Sequence, residues 1–202
     1  MLRLTYGFMS RPHTTILECT NSWEKSPPSI VSLVVANGID VVCIVYMARA
    51  KLESGTGLAG GVGGSNAHAA NIVAAIFIAT GQDAAQVVSS SMCRTSFDVR
   101  EDGSLYVSVT MPCVEVGTVG GGTILPPQKA CLEMLGVSGP CATSPGGHAA
   151  RLAEIVAASV LAGELSLMAA LTTDDLVASH LRLNRSRLDL YATAPQQATS
   201  AP

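Results

Sequence analysis

The stretch GTGLAGGVGGSNAHAANIVAAIFIATGQDAAQ, Gly55–Gln86, decides how the rest of the chain is organised. A glycine-rich approach leads into a segment, Ala67 to Thr80, that is apolar on nearly every face and is followed by glycine. This pattern predicts a buried central helix. Three strongly polar side chains lie just before it or in its first half: Asn66, His68 and Asn71. Buried polar groups need hydrogen-bonding partners, so each of these three requires one.

The composition indicates an apolar globular chain with one sizeable core. Of its 202 residues, 48% are hydrophobic and 13% are charged, and the mean hydropathy is +0.38. Such a surface predicts apolar patches that contact another subunit or partner. The net charge of −3 and the lack of a basic stripe argue against nucleic-acid binding. Six cysteines without a CxxC pair are typical of reduced core residues in a cytosol-facing protein.

Ser29–Met47 is the membrane-spanning candidate of the sequence, and it has two interpretations. An acid such as Asp40 near mid-bilayer costs about 2.5–3.5 kcal/mol, which disfavours a transmembrane helix. Two buried strands joined at Asn37-Gly38 fit better, because this dipeptide between β-branched runs signals a hairpin. Residues 1–28 show no sustained periodicity and no cleavable signal, so we expect a poorly ordered leader.

The second half of the chain alternates between a strand pattern and helical patterns. Ser104–Thr110 alternates as a strand after a charged turn from Asp98 to Ser104. Val114, Val116 and Val119 continue the β character into the glycine-rich turn Gly117–Thr123. That turn either lets a ligand approach the backbone or forms a tight chain crossing.

Three helices are predicted beyond this turn. Pro126-Pro127 opens a short helix that Gly136 ends. His148–Leu171 is a long apolar helix that is either buried or at a dimer interface, and its acid, Glu164, must be paired or functional. Thr172 and Asp175 resemble a capping box for a last helix. The tail after residue 187 has a disordered composition.

Two residues have both a structural and a catalytic interpretation. Asp83 with Gln86 has the form of a capping box, although a carboxylate just beyond a helix C-terminus also has the position of a pKa-tuned acid. The local sequence favours the cap. His180, late in a helix and near two arginines, is by itself typical of a solvated surface histidine.

Taken together, six blocks resemble the C-terminal half of the catalytic domain of hydroxymethylglutaryl-CoA reductases. The matched region runs from Lys51 to Ser186. The blocks are LAGGVGGSNAHAANIVAAIFIATGQDAAQ (58–86), LYVSVTMP (105–112), EVGTVGGGT (115–123), ACLEMLGV (130–137), VLAGELSLMAAL (160–171) and SHLRLNRS (179–186). The resemblance implies an α+β fold, a fragment of the family's large domain with a buried central helix and flanking strands and helices.

The resemblance also implies an enzyme that reduces hydroxymethylglutaryl-CoA to mevalonate and CoA with two NADPH. Asp83 and His180 fall on the catalytic aspartate and on the histidine that protonates the leaving thiolate. The positions implied for substrate contact are Lys51, His68, Asn71, Leu167, Ala170 and Leu171. Gly120, Gly121 and Gly122 match the turn near the cofactor, and Ser186 matches a serine phosphorylated in many eukaryotic members. We expect no metal ion.

Some features of the family have no counterpart in this sequence. Residues 1–50 contain neither its catalytic glutamate and lysine nor its DAMGMN motif. We therefore expect an unmatched leader over residues 1–50, a partial large domain over 51–187 and a disordered tail over 188–202. We also expect the family's small nicotinamide-binding domain to be missing from this sequence.

Three hypotheses follow from these matches and departures. The first is a reductase chain that forms a homodimer or homotetramer, is inactive alone, and belongs to a parent anchored in the endoplasmic reticulum membrane. The second is a non-catalytic chain that associates with full-length reductase subunits through its apolar helices. The third is a fragment held in a membrane by Ser29–Met47.

Overall fold

The computed structural model describes residues 13–18, 40–54, 58–61 and 63–183, with only the backbone of residues 13–18. The predicted turn at Asn37-Gly38, the serine at Ser186 and the predicted tail over 188–202 lie outside these residues. The elements in chain order are β1 His13–Glu18, α1 Val41–Leu52, β2 Gly64–Ser65, α2 Ala69–Thr80, α3 Val87–Ser90, β3 Cys93–Val99, β4 Leu105–Met111, α4 Pro126–Met134, α5 Gly147–Thr172 and α6 Asp175–Leu183. This mixed arrangement confirms the predicted α+β class.

The central helix α2 forms where the sequence predicts it, although it buries one face only. Gly81 ends it in the left-handed conformation, with φ 70°, and donates its N–H to the Phe77 carbonyl. Val73 and Phe77 are fully buried, whereas Ile78 on the opposite face is 71% exposed. The predicted burial of α2 is therefore found on one face, and its opposite apolar face is exposed.

The sheet has four strands in the order β1-β4-β3-β2, with β3 and β1 antiparallel to β4. In β4 the predicted alternation is confirmed, because Leu105, Val107 and Val109 are all buried. Strand β3 was not predicted from the sequence, and its inward residues include Cys93 and Thr95. The β character predicted for residues 114–119 is wrong, because these residues form irregular chain.

The strand predicted over residues 40–47 is wrong, because this segment begins helix α1. The side chain of Asp40 accepts a hydrogen bond from the Val42 N–H at 3.0 Å and thereby caps the helix. Ile44, Ala48 and Leu52 are buried at helical spacing. The predicted boundary between residues 50 and 51 consequently falls inside a helix that belongs to the core.

The remaining helices form close to their predicted positions. Helix α5 buries ten of its residues and is, within the described part of the chain, the one helix long and apolar enough to cross a membrane. Because its buried face packs in the core, we interpret it as a core helix. The capping box predicted at Thr172 does not form. Its hydroxyl donates to the Ala169 carbonyl, and it is Thr173 that bonds Asp175.

Among the described cysteines, only Cys93 is buried, so the expectation that they are all core residues is wrong. Burial raises the pKa of Cys93 to about 12. Cys141 lies in the loop before α5, where hydrogen bonds from the Thr143 side chain and from the Ser144 and Thr143 backbone lower its pKa to about 6.

The end of α2 is held by a close backbone crossing between Gly81 and Gly122. A Cβ built on Gly81 would lie 2.4 Å from the Gly122 carbonyl, and one on Gly122 would lie 2.6 Å from the Gly81 oxygen. The tight crossing that the sequence analysis left open for the glycine-rich turn is therefore present at Gly122.

We expect Gly81→Ala to destabilise the fold more than Gly136→Ala, measured by chemical denaturation. Both glycines follow a helix with nearly the same φ, +70° and +71°, but a Cβ at Gly136 meets nothing within 4 Å. The conformational cost of about 1–2 kcal/mol is shared, and the clash adds roughly 1–3 kcal/mol for Gly81 alone. Equal losses would contradict the crossing.

Candidate active-site region

A carboxylate with no exposure to solvent lies at the centre of the region. Glu164 in α5 is 0% exposed. One of its oxygens accepts the Ala67 N–H at 2.9 Å and the Thr95 hydroxyl at 3.1 Å. The other accepts the His68 N–H at 2.8 Å and lies 2.9 Å from His68 Nδ1. The sequence analysis required a partner for this acid, and the structure supplies four contacts.

These contacts keep Glu164 ionised. Burial raises its pKa, but the hydrogen bonds from the His68 ring and from the Ala67 and His68 N–H groups lower it by more, so the net shift is downward. A buried carboxylate that accepts two or three backbone or side-chain hydrogen bonds is stabilised in its charged form. Glu164 is therefore an anion that joins the beginning of α2 to β3 and α5.

Asn66 completes the beginning of α2. Its amide donates to the Cys93 carbonyl at 3.0 Å, and its carbonyl oxygen accepts the Ala69 N–H at 3.2 Å. Of the three polar residues that require partners, Asn66 and His68 are thus satisfied inside the protein. Asn71 is exposed on α2, one turn beyond His68 and on the same face.

Several predicted substrate positions lie near this end of α2. Lys51 is exposed in the last turn of α1, and the Ser65 hydroxyl bonds the neighbouring Leu52 carbonyl just before α2 begins. Leu167, Ala170 and Leu171 are half-buried on α5, within two turns of Glu164. We call Lys51, His68, Asn71, Leu167, Ala170 and Leu171 the amino-end group.

Asp83 and the glycine-rich turn lie beyond the opposite end of α2. Asp83 is exposed and accepts the Ala85 N–H at 2.9 Å, so the capping interpretation describes its contact in this chain. The Gln82 side chain pairs with the Gly117 backbone at 2.7 and 2.9 Å, which brings the glycine-rich turn beside Asp83. We call Asp83 and Gly120–Gly122 the carboxyl-end group.

The glycine-rich turn leaves room for a ligand at two of its three predicted positions. Gly120 and Gly121 have φ of +74° and +56°, and a Cβ on either would meet nothing within 4 Å. Their exposed backbone fits the approach of a cofactor or substrate. Gly122 instead meets the Gly81 backbone, so its lack of a side chain serves the crossing.

The structure does not bring the amino-end and carboxyl-end groups together within one chain. Helix α2 separates them and contains 12 residues, which correspond to about 18 Å along its axis. His180, the second predicted catalytic residue, is exposed on α6, which follows α5. Within residues 40–54, 58–61 and 63–183, no group of three or more His, Cys, Asp or Glu residues could hold a metal ion.

Comparison with known proteins identifies the relatives of this arrangement. Residues 30–185 match the family described as hydroxymethylglutaryl-coenzyme A reductase. The match begins 21 residues before Lys51, where the resemblance in the sequence was first placed, and so includes α1.

Two relatives are both named 3-hydroxy-3-methylglutaryl-coenzyme A reductase. The one from Drosophila melanogaster is 57% identical over 151 residues, which are 74% of this chain and 16% of the relative. The one from Catharanthus roseus is 53% identical over 162 residues, which are 80% of this chain and 27% of the relative. The 3-hydroxy-3-methylglutaryl-coenzyme A reductase 2 of Hevea brasiliensis is 55% identical over 156 residues, which are 77% of this chain and 74% of the relative. The chain thus spans only a minor part of two of these three proteins.

We expect Glu164→Gln to lower the free energy of unfolding by about 3–5 kcal/mol, because it breaks a buried ionic network and places an amide among its donors. Glu154→Gln in the same helix is the matched control. This control substitution removes a surface salt bridge with Arg151, which is worth about 1 kcal/mol or less. Equal losses in the two variants would contradict the central role of Glu164.

The same network predicts acid sensitivity. Because the pKa of Glu164 is lowered in the folded state, its contribution to stability is complete above the usual glutamate pKa of about 4.3 and is lost as the pH falls further. The stability difference between wild type and Glu164→Gln should therefore shrink on acidification below this value. A difference that stays constant down to the acid unfolding transition would contradict the prediction.

Proposed function

The chain belongs to the hydroxymethylglutaryl-coenzyme A reductase family, and on this premise we propose that it supplies the large-domain part of a site that reduces hydroxymethylglutaryl-CoA to mevalonate and CoA. The observation that carries the proposal is the family match over residues 30–185. The family is one of oxidoreductases in the mevalonate pathway, which leads to isoprenoids and sterols.

The proposed reaction breaks a thioester bond, adds two hydrides to the acyl carbon, and adds one proton to the departing sulfur and one to the acyl oxygen. NADPH, when bound, supplies these hydrides. By the resemblance, Asp83 acts through the family's catalytic lysine, to which it is hydrogen-bonded and which stabilises the oxygen that becomes negative in each transfer. By the resemblance, His180 donates a proton to the departing CoA thiolate, a task suited to an imidazole. The exposure of both side chains leaves them accessible to substrate.

The amino-end group would hold the acyl part of the substrate. The exposed ammonium of Lys51 has the charge and reach to bind a carboxylate. His68 and Asn71 offer polar contacts from one face of α2. Leu167, Ala170 and Leu171 offer an apolar shelf on α5, where half-buried side chains leave surface for a ligand.

A site shared between two copies of the chain accounts for the separation of the two groups. Asp83 lies beyond the far end of α2 from His68, so the small acyl group of the substrate does not contact both within a chain. A homodimer that places the carboxyl-end group of one copy against the amino-end group of the other would complete the site. The resemblance supports this arrangement, since the family's sites lie at subunit interfaces.

Two further proposals rest on the resemblance alone. Ser186 is a regulatory phosphorylation site, whose added charge six residues after His180 would disfavour an anionic cofactor. The parent enzyme is anchored in the endoplasmic reticulum membrane, with this part of the chain facing the cytosol.

We expect the purified chain to bind hydroxymethylglutaryl-CoA in isothermal titration and Lys51→Ala to weaken binding about tenfold, or 1.4 kcal/mol. Lys129→Ala is the control, because Lys129 is exposed on α4 and pairs with Glu133 at 3.7 Å. Loss of binding by both variants equally, or no binding by the wild type, would contradict the proposal.

For turnover, we expect negligible NADPH oxidation by the chain alone, because the family's catalytic glutamate and lysine have no counterpart in residues 1–50. Substrate-dependent oxidation would overturn this expectation. In that case Asp83→Asn and His180→Gln should each abolish most of the rate.

The second candidate function is non-catalytic association with full-length reductase subunits. It is favoured by the exposed apolar face of α2 and α3, where Ile78 is 71% and Val88 is 67% exposed. Co-purification with a full-length reductase should succeed for the wild type and fail for Ile78→Glu. Val177→Glu on α6, also an exposed apolar position, is the control. Recovery of no reductase with the wild-type chain would count against association.

A further inference from the structure

The contact between Glu164 and His68 determines which ring nitrogen of the histidine carries a proton. His68 Nδ1 lies 2.9 Å from the Glu164 oxygen that also accepts the His68 backbone N–H at 2.8 Å. An ionised carboxylate has acceptor oxygens only. Because the hydrogen bonds keep the pKa of Glu164 low despite its burial, Nδ1 must be the donor in this contact.

A proton on Nδ1 of the neutral ring leaves Nε2 as a hydrogen-bond acceptor. The histidine side chain is 21% exposed, whereas that of Glu164 is 0% exposed. Since Nδ1 faces a fully buried carboxylate, the exposed part of the ring belongs to its other edges. The edge of the His68 ring that carries Nε2 is therefore free of contact with Glu164.

Thr95 and Gly163 flank this contact. The Thr95 hydroxyl donates to the second Glu164 oxygen at 3.1 Å, and the Ala67 N–H occupies the same oxygen at 2.9 Å. Gly163 precedes Glu164 on α5, and a Cβ there would lie 3.4 Å from His68 Nε2 and 3.0 Å from the Ile72 side chain. The crowding that Gly163 avoids is with Ile72, because 3.4 Å from Nε2 is an ordinary van der Waals distance.

We propose that Glu164 is a positioning residue, which holds His68 in its Nδ1–H form so that Nε2 accepts a hydrogen bond from the hydroxyl group of the bound acyl-CoA substrate. The inference rests on the proposed function for the identity of that donor, but the state of the ring is independent of it. Glu164 acts through His68 and touches no substrate itself.

A purely structural role for Glu164 requires only its contacts with the backbone of Ala67 and His68. These contacts would hold the beginning of α2 whichever ring nitrogen were protonated. The protonation pattern of the ring is therefore the readout that separates positioning from packing.

The test is nitrogen-15 NMR of the full chain in mildly alkaline solution, with the His68 ring assigned from His68→Gln. We expect a pyrrole-type Nδ1 and a pyridine-type Nε2, and a shift of the Nε2 resonance on addition of hydroxymethylglutaryl-CoA. Thr95→Val, which keeps the His68 contact, should preserve the pattern. Glu164→Gln should lose it. If Glu164→Gln fails to fold, the wild-type spectrum alone decides.

A protonated Nε2 in the wild type, alone or together with a protonated Nδ1, would overturn the role of Glu164. Substrate-induced shifts elsewhere in the chain with an unmoved Nε2 would overturn the hydroxyl contact. If no resonance responds to the acyl-CoA, the proposed function fails and the substrate contact fails with it. The nitrogen pattern then still decides whether Glu164 positions the ring.

Discussion

The hydrogen bonds to one buried carboxylate are the constraint on which the rest of the structure depends. An ionised Glu164 inside the core is costly unless its oxygens are fully occupied. Its donors come from the beginning of α2 and from Thr95 in β3. Helix α5, helix α2 and the sheet must therefore keep one relative position. Because the amino-end group lies on α1, α2 and α5, this constraint also positions its side chains.

Elements with strong local signals could be predicted from the sequence. Helix α2 ends where Gly81 accepts a left-handed conformation, and β4 shows the alternation of a half-buried strand. Helix α1 was missed because its short apolar run fits either period and follows an Asn-Gly pair that favours a hairpin. Strand β3 was missed because it buries Thr95, a polar residue whose partner is distant in the chain.

For the candidate site, too, local signals could be predicted and contacts between distant residues could not. An acid in the apolar helix α5 signals a buried partner, so the sequence required one for Glu164. The partners Ala67 and His68 lie 97 and 96 residues away in the chain, and Thr95 lies 69 residues away. No local pattern specifies contacts at these separations. The residue types of the site came from the resemblance to a family, and their grouping at two ends of α2 came from the structure.

The exposed apolar face of α2 and the divided site have a common physical explanation. A face that carries Ile78 at 71% exposure is unfavourable in water and favours contact with another apolar surface. A second subunit on this face would remove it from solvent. We propose that the same assembly brings the carboxyl-end group of one copy toward the amino-end group of another.

Amide hydrogen exchange of Ala67 and His68, followed by NMR on the full chain, tests the central role of Glu164 most directly. If a buried carboxylate holds these N–H groups, they exchange only when the whole core opens, as slowly as the amides of Val73 and Phe77 within α2. Exchange at the rate of the exposed turn at Asp102-Gly103 would mean that Glu164 does not hold the beginning of α2. The account of the site would then be wrong.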